Sequence, residues 1–376
     1  MKAIVLVARV VVLVIVAFFI LRTVASAQLP ANRPDLEISS STRTEVIEVL
    51  IKELDEGYVF PETAKKMEAD LKARLANKEY DSVKSSTAFA DKLTSDLQSI
   101  SHDKHLRVRF SIEPLPVRRE KHEPTAEEIA TEQAFEKRVN YGFNRAERMD
   151  GNIGYIELRG FFDPEAGAAI VAAAMSMMSN TDALIFDVRQ NGGGEASMVA
   201  LICSYLFGDK KVHLNDLYFR PDNHTEEFWT NPAVAGKKYD KDVYILTSSR
   251  TFSGAEEFSN NLKVLKRATI VGETTGGGAN PGGSVRLNEH FSVFVPTGRA
   301  INPITKTNWE GTGVEPDIKV PKEQALKVAY LTALKRSASG EKDARLKAQL
   351  QTLVDETQKS LDEMKSTTKT ASGDVK

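Results

Sequence analysis

The chain has 376 residues, enough for two compact units or one large domain with appendages. Hydrophobic residues at 41% and charged residues at 27% place it in the globular range, outside wholly disordered or collagen-like chains. Fifty Lys and Arg against 52 Asp and Glu leave a net charge of −2, which argues against a nucleic-acid partner, and the single cysteine, Cys203, excludes an intramolecular disulfide and any cysteine-built metal cluster.

From the N-terminus, Lys2 and Arg9 precede an apolar run from Val10 to Leu21, followed by Arg22 and Ala25-Ser26-Ala27. A basic start, an apolar centre and a small-residue end form the pattern of a secretory signal over 1–27, so export to a periplasm or the exterior is expected. Were the segment retained, residues 3–21 would anchor the chain in a membrane; that is the one membrane contact the sequence implies. Residues 28–37 are polar and Pro-containing and read as a tether. A helical unit is expected over 38–112. Thr42 to Glu45 has capping-box spacing before Val46, Ile47, Leu50 and Leu54; Pro61 opens a second helix with Met67 and Leu71; Phe89, Leu93 and Leu97 mark a third. This unit is too short to bury a large core alone, so it is expected to pack against later parts of the chain. Leu106–Phe110 reads as a strand, and 113–150 as a charged connector carrying a solvated helix near Thr125–Asn144.

Beyond Asn152 strand and helix patterns alternate: Ile153–Leu158, Pro164–Met178, Ala183–Val188, Ala196–Phe207, Val243–Thr247, Gly254–Leu265 and Ala268–Val271. Such alternation predicts an α/β sheet with crossovers. Ser284–Leu287 and Phe291–Pro296 read as a hairpin. The expected core spans 151–320, C-terminal helices 321–364, and a disordered tail 365–376.

Three segments have the character of a site. In Thr247-Ser248-Ser249-Arg250-Thr251-Phe252-Ser253-Gly254 a strand turns into a helix at Ser253, where unpaired N–H groups favour developing negative charge. Ser253 is a candidate nucleophile there; it reads equally as an N-cap, with Glu256 three residues on completing a capping box, and spacing alone favours the cap. In Asp187-Val188-Arg189-Gln190-Asn191-Gly192-Gly193-Gly194 the glycines fit an oxyanion hole or a plain tight turn; no Lys-Ser/Thr follows, so a P-loop is excluded. His102 and His105 stand three apart, but the other four histidines show no ligand spacing, and no metal or organic cofactor is expected. A histidine serves as general base only where folding brings it to a nucleophile.

Taken in series, Gly154-Tyr155-Ile156-Glu157-Leu158, the Asp187 to Gly194 segment, Leu246 to Glu256, Val271-Gly272-Glu273-Thr274-Thr275-Gly276-Gly277-Gly278, and Trp309-Glu310-Gly311 with Gly313-Val314-Glu315-Pro316-Asp317 resemble the tail-specific, or C-terminal-processing, serine peptidase family. That family includes the tricorn protease core and the modules of interphotoreceptor retinoid-binding protein; the helical unit before His105 is similar to the N-terminal region of the latter. The resemblance implies a crotonase-like (ββα)n spiral core, with an N-terminal helical bundle and C-terminal helices around it. It implies Ser253 as nucleophile, Gly193 and Gly254 as oxyanion-hole donors, and a protein or peptide substrate. Where the bacterial tail-specific branch carries a lysine base, this chain has Gly276–Gly278, so the resemblance shifts to the tricorn-like pattern, with His105 as base and Glu310 as the accompanying acid. Lys104 stands where that branch has a second serine. Only 46 residues separate His105 from Asn152, about half of what the family's peptide-binding module would need there, so the resemblance does not extend to that module. The competing expectation is a non-catalytic module of the same fold that binds apolar ligands.

Overall fold

The computed structural model describes residues 35–116 and 125–373. The expected signal segment, most of the tether and the last three residues lie outside the described residues. Contacts divide the chain into two units. The first takes the described part of Met1–Phe135 with Asp216–Glu227 and Gly278–Ile301; the second takes Glu136–Asn215, Phe228–Gly277 and Asn302–Lys376.

The chain opens with helices α1 (Ser40–Gly57), α2 (Pro61–Ala76) and α3 (Ser86–Ser101), strand β1 (Arg107–Phe110) and the largely exposed α4 (Ala126–Arg138). Helix α1 starts earlier than its capping box implied: Ser39 is the N-cap and accepts from the Thr42 amide at 3.1 Å, because the Ser39–Ser41 run offers a hydroxyl one turn sooner. The sequence then supplies β2 (Phe143–Met149), β3 (Ile153–Leu158), α5 (Pro164–Met178), β4 (Ala183–Asp187), α6 (Ala196–Ser204), β5 (His213–Phe219), β6 (His224–Trp229), β7 (Asp242–Thr247), α7 (Gly254–Val264) and β8 (Thr269–Gly272). It ends with β9 (Gly282–Arg286), β10 (Phe291–Pro296), β11 (Gly298–Ile301), β12 (Ile318–Lys319), α8 (Lys322–Gly340) and α9 (Ala344–Gly373). The last helix therefore continues past Met364 to Gly373, into the stretch expected to be a disordered tail.

In the first unit the apolar faces of α1, α2 and α3 close on a three-stranded sheet of order β1-β10-β9, both pairings antiparallel. Leu50, Leu54, Met67, Phe89, Leu93 and Leu97 share one core with Val108, Phe291, Val293 and Val295. The helical unit thus finds its missing apolar surface in a hairpin from far along the chain. Strand β11 pairs with the Asp216–Phe219 part of β5.

The second unit is built on a six-stranded mixed sheet of order β12-β8-β7-β4-β3-β2, parallel except for the antiparallel β2–β3 edge. Side chains alternate across it with period two. Leu184, Phe186 and Ile245 face Met175, Val199, Phe258 and their neighbours on α5, α6 and α7; Ile185, Tyr244 and Leu246 face Ala329 and Leu334 of α8 and Val354 of α9. Cover on both faces explains why β4 and β7 read as continuous apolar runs. Strands β2, β5, β6, β11 and β12 were not anticipated: β2 falls in the charged connector 113–150, almost wholly beyond its expected helix. Among the described residues no helix is long and apolar enough to cross a membrane.

Candidate active site

In an open parallel sheet, functional loops gather where the strands end at their carboxyl edge. The neighbouring strands β4, β7 and β8 of the second unit end there in loops 188–194, 248–253 and 273–277, the first two being candidate segments from sequence and the third part of the family resemblance. Hydrogen bonds lock the first two loops together. Ser248 Oγ donates to the Arg189 carbonyl at 2.6 Å, Thr251 Oγ1 to the Val188 carbonyl at 2.8 Å, and the Phe252 amide to the Asn191 carbonyl at 3.1 Å. The first loop is held at its base by Asp187, which pairs with Arg189 through Nε (2.9 Å) and Nη2 (2.5 Å) and accepts from the Tyr155 hydroxyl at 2.8 Å. Burial alone would raise the Asp187 pKa, but Arg189 and Tyr155 outweigh it and hold the carboxyl below its ordinary range.

Ser253 stands at the mouth of α7 with φ 53° and ψ −123°, a backbone conformation that a residue with a side chain adopts only under constraint. Gly193, at φ +108°, packs against this turn: a Cβ added there would lie 2.7 Å from Ser253 Cβ and 2.8 Å from the Gly254 nitrogen. Only glycine allows the two loops to approach this closely. Gly194 in turn lies so near the Phe161 carbonyl that a Cβ would meet it, and the Phe161 amide donates to the Gly193 carbonyl at 3.0 Å. Ser253, Gly193 and Gly254 are therefore brought together. The Gly254 amide is in the first turn of α7, where it has no intrahelical acceptor. The Gly193 amide donates to Asn191 Oδ1 at 2.8 Å.

Glu256 does more than the capping box implied. It is fully buried and accepts three hydrogen bonds, from the Ser253 amide (2.9 Å), the Thr275 hydroxyl (2.5 Å) and the Gly277 amide (2.6 Å). Thr275 Oγ1 itself accepts from the Val314 amide at 2.6 Å, and the Gly311 amide donates to the Gly277 carbonyl at 3.1 Å. One carboxylate thus joins the Ser253 turn to the glycine segment and, through it, to the loop that bears half-buried Glu310. The i, i+3 spacing of Ser253 and Glu256 was the visible signal; the link to Thr275 and Gly277 had none in the sequence.

His105 belongs to the first unit, in the turn between α3 and β1, which starts at His102 in a left-handed conformation (φ 56°). Its ring lies nearly flat against Phe294, with centroids 5.7 Å apart. Burial, and after it the charge of Arg107, push its pKa down to about 3, so the imidazole is neutral at physiological pH. Beside it Asp103 is wholly buried. Its Oδ1 accepts from the His105 amide at 3.0 Å, and Oδ2 from Asn280 Nδ2 at 2.8 Å and the Tyr58 hydroxyl at 3.3 Å.

Two family profiles match the chain in succession. The profile described as peptidase family S41 covers residues 152–320, and the one for the N-terminal domain of that family in eukaryotic IRBP covers 37–144. Carboxy-terminal processing protease CtpA of Bacillus subtilis is 25% identical over 203 residues, 54% of this chain and 42% of that protein. Carboxyl-terminal-processing peptidase 2, chloroplastic, of Arabidopsis thaliana is 26% identical over 170 residues, 45% of this chain and 32% of that protein. The match thus spans less than half the length of either relative. A crystal structure from Parabacteroides merdae shares the fold with a TM-score of 0.56 at 18% identity, over 80% of this chain and 99% of that one. Mature CPAF does so with a TM-score of 0.51 at 13% identity, over the same shares. With both profiles taken together, most of the chain is accounted for: it belongs to peptidase family S41.

Proposed function

We propose that the chain is an exported serine endopeptidase that cleaves protein or peptide substrates with Ser253 as nucleophile. The observation that carries this reading is the strained Ser253 turn with Gly193 packed against it, at the mouth of a helix. A serine required only as a cap would sit in relaxed extended backbone, whereas a strained strand-to-helix turn is how hydrolases present a nucleophile. In the reaction, Ser253 Oγ attacks the scissile carbonyl carbon as His105 takes its proton. The tetrahedral oxyanion is held by the Gly254 and Gly193 amides, the latter exchanging Asn191 Oδ1 for it. As the C–N bond breaks, His105 returns the proton to the leaving amine, and water then hydrolyses the acyl-enzyme by the same route. Each oxyanion donor contributes roughly 3–4 kcal/mol in known cases. Glu310 is the accompanying carboxylate. The crotonase-like spiral that the resemblance implies is part of the proposal, supported by the serial strand–helix order from β3 to β8.

A fluorophosphonate probe tests this. The expected result is stoichiometric labelling of the wild-type chain and none of Ser253→Ala; labelling that survives the substitution removes Ser253 from the role. Export is tested separately: secreted chain should begin at Gln28 by intact mass.

A further inference from the structure

The proposed base needs a partner that keeps its imidazole in one tautomer, with a proton on Nδ1 and a free pair on Nε2. The first unit supplies a carboxylate for this beside the ring. Asp103 Oδ1 lies 3.9 Å from His105 Nδ1, and neither side chain is more than a tenth exposed. That oxygen already accepts the His105 amide, so backbone and ring of the same residue face one atom. Its own orientation is not free to drift. The other oxygen, Oδ2, is gripped by Asn280 from the segment before β9 and by Tyr58 from the end of α1. Phe294 stacks on the ring face, with centroids 5.7 Å apart. Catalytic hydrogen bonds are commonly long in a resting site and shorten with substrate bound.

We propose that Asp103 is the positioning residue of His105: its Oδ1 accepts the Nδ1 proton, fixes the Nε2 pair as the base and stabilises the imidazolium formed when Ser253 is deprotonated. This assigns the imidazole-orienting role to Asp103. The inference rests on the peptidase reading.

The test uses the full chain with 15N-labelled histidine. Long-range proton–nitrogen correlation at neutral pH, with the His105 signals assigned by their loss in His105→Gln, reports the tautomer directly. The expected result is Nδ1–H in the wild type, a shift toward Nε2–H in Asp103→Asn, and fluorophosphonate labelling slowed about a hundredfold or more in that variant. A purely structural aspartate would leave the tautomer unchanged. An Nε2–H tautomer in the wild type overturns the proposal, as does a folded Asp103→Asn that labels within about threefold of wild type. An asparagine here sets an NH2 group against the Asn280 amide or the His105 N–H, so the variant can fail to fold; the wild-type tautomer then decides alone. Failure of the wild-type chain to label at Ser253 sinks the peptidase reading, and the tautomer measurement still decides whether Asp103 orients the ring.

Discussion

At Ser253 the backbone holds a positive φ that costs about 1–3 kcal/mol in a residue with a side chain. Ser253→Gly is therefore expected to unfold at higher denaturant concentration than wild type, by about 1 kcal/mol, while losing all probe labelling. Chemical denaturation of the two proteins measures this, and unchanged stability would show that the turn is unstrained. The reverse change, Gly193→Ala, puts a Cβ 2.7 Å from Ser253 Cβ at φ +108°. Labelling by the probe should fall below detection, with a stability loss of about 2 kcal/mol or more from strain and overlap. The serine and the glycines were legible as residues at a strand-to-helix turn and a Gly-rich turn. Their strain and mutual approach were not, because each depends on a loop about sixty positions away. Asp103 shows the same limit: it reads as an ordinary turn aspartate until Tyr58 and Asn280 converge on it.

Among the elements, α7 has the proposed nucleophile Ser253 at its N-cap and is held to the sheet by one aromatic cluster. Phe258 is fully buried, edge-on to Phe186 at 5.3 Å and tilted against Phe161 at 5.7 Å. Phe258→Ala should cost about 3–5 kcal/mol, read as a lowered unfolding midpoint, and should slow labelling of Ser253 as the helix loosens. Normal labelling in a destabilised variant would mean the cluster supports the fold alone. Elements with a clear apolar pattern were readable: α5 and the buried strands β3, β4 and β7 lie within a residue or so of expectation, and α2 starts at Pro61 as expected. Strand β2 was missed because Phe143-Asn144-Arg145-Ala146-Glu147-Arg148-Met149 is rich in helix-favouring charged residues, and only its ladder to β3 makes it a strand. Short β5, β6 and β11 likewise lie outside the apolar runs, with mostly half-exposed side chains; β5 and β6 pair with each other across a short turn, while β11 reaches β5 from far along the sequence.

Stability of the whole molecule carries two opposed proton linkages. Burial raises the Glu257 pKa from 4.5 to about 8, against the smaller opposite pull of Asn261 and Asn215. The folded state then holds a proton the unfolded chain releases, so this contribution is full below pH 4.5 and is lost as pH rises through about 8. His105 runs the other way: its folded pKa of about 3 lies below 6.5, so stability falls as pH drops from 6.5 toward 3. Melting temperatures across this range should show Glu257→Gln gaining on wild type between pH 5 and 8 and levelling off above. A constant offset would mean that Glu257 is not neutral in the fold.

By itself the sequence determined the local order of helices and buried strands, the placing of a serine at a helix mouth and the family to which the chain belongs. These follow from periodicity, turn chemistry and short motifs, all written within a dozen residues. Tertiary structure alone decided that residues 216–227 and 278–301 join the first unit, that Gly193 presses on Ser253, and that one buried glutamate ties Ser253 to Thr275 and Gly277. The reason is physical: a close approach or a shared carboxylate depends on where distant backbones come to rest, and local propensity carries no record of that.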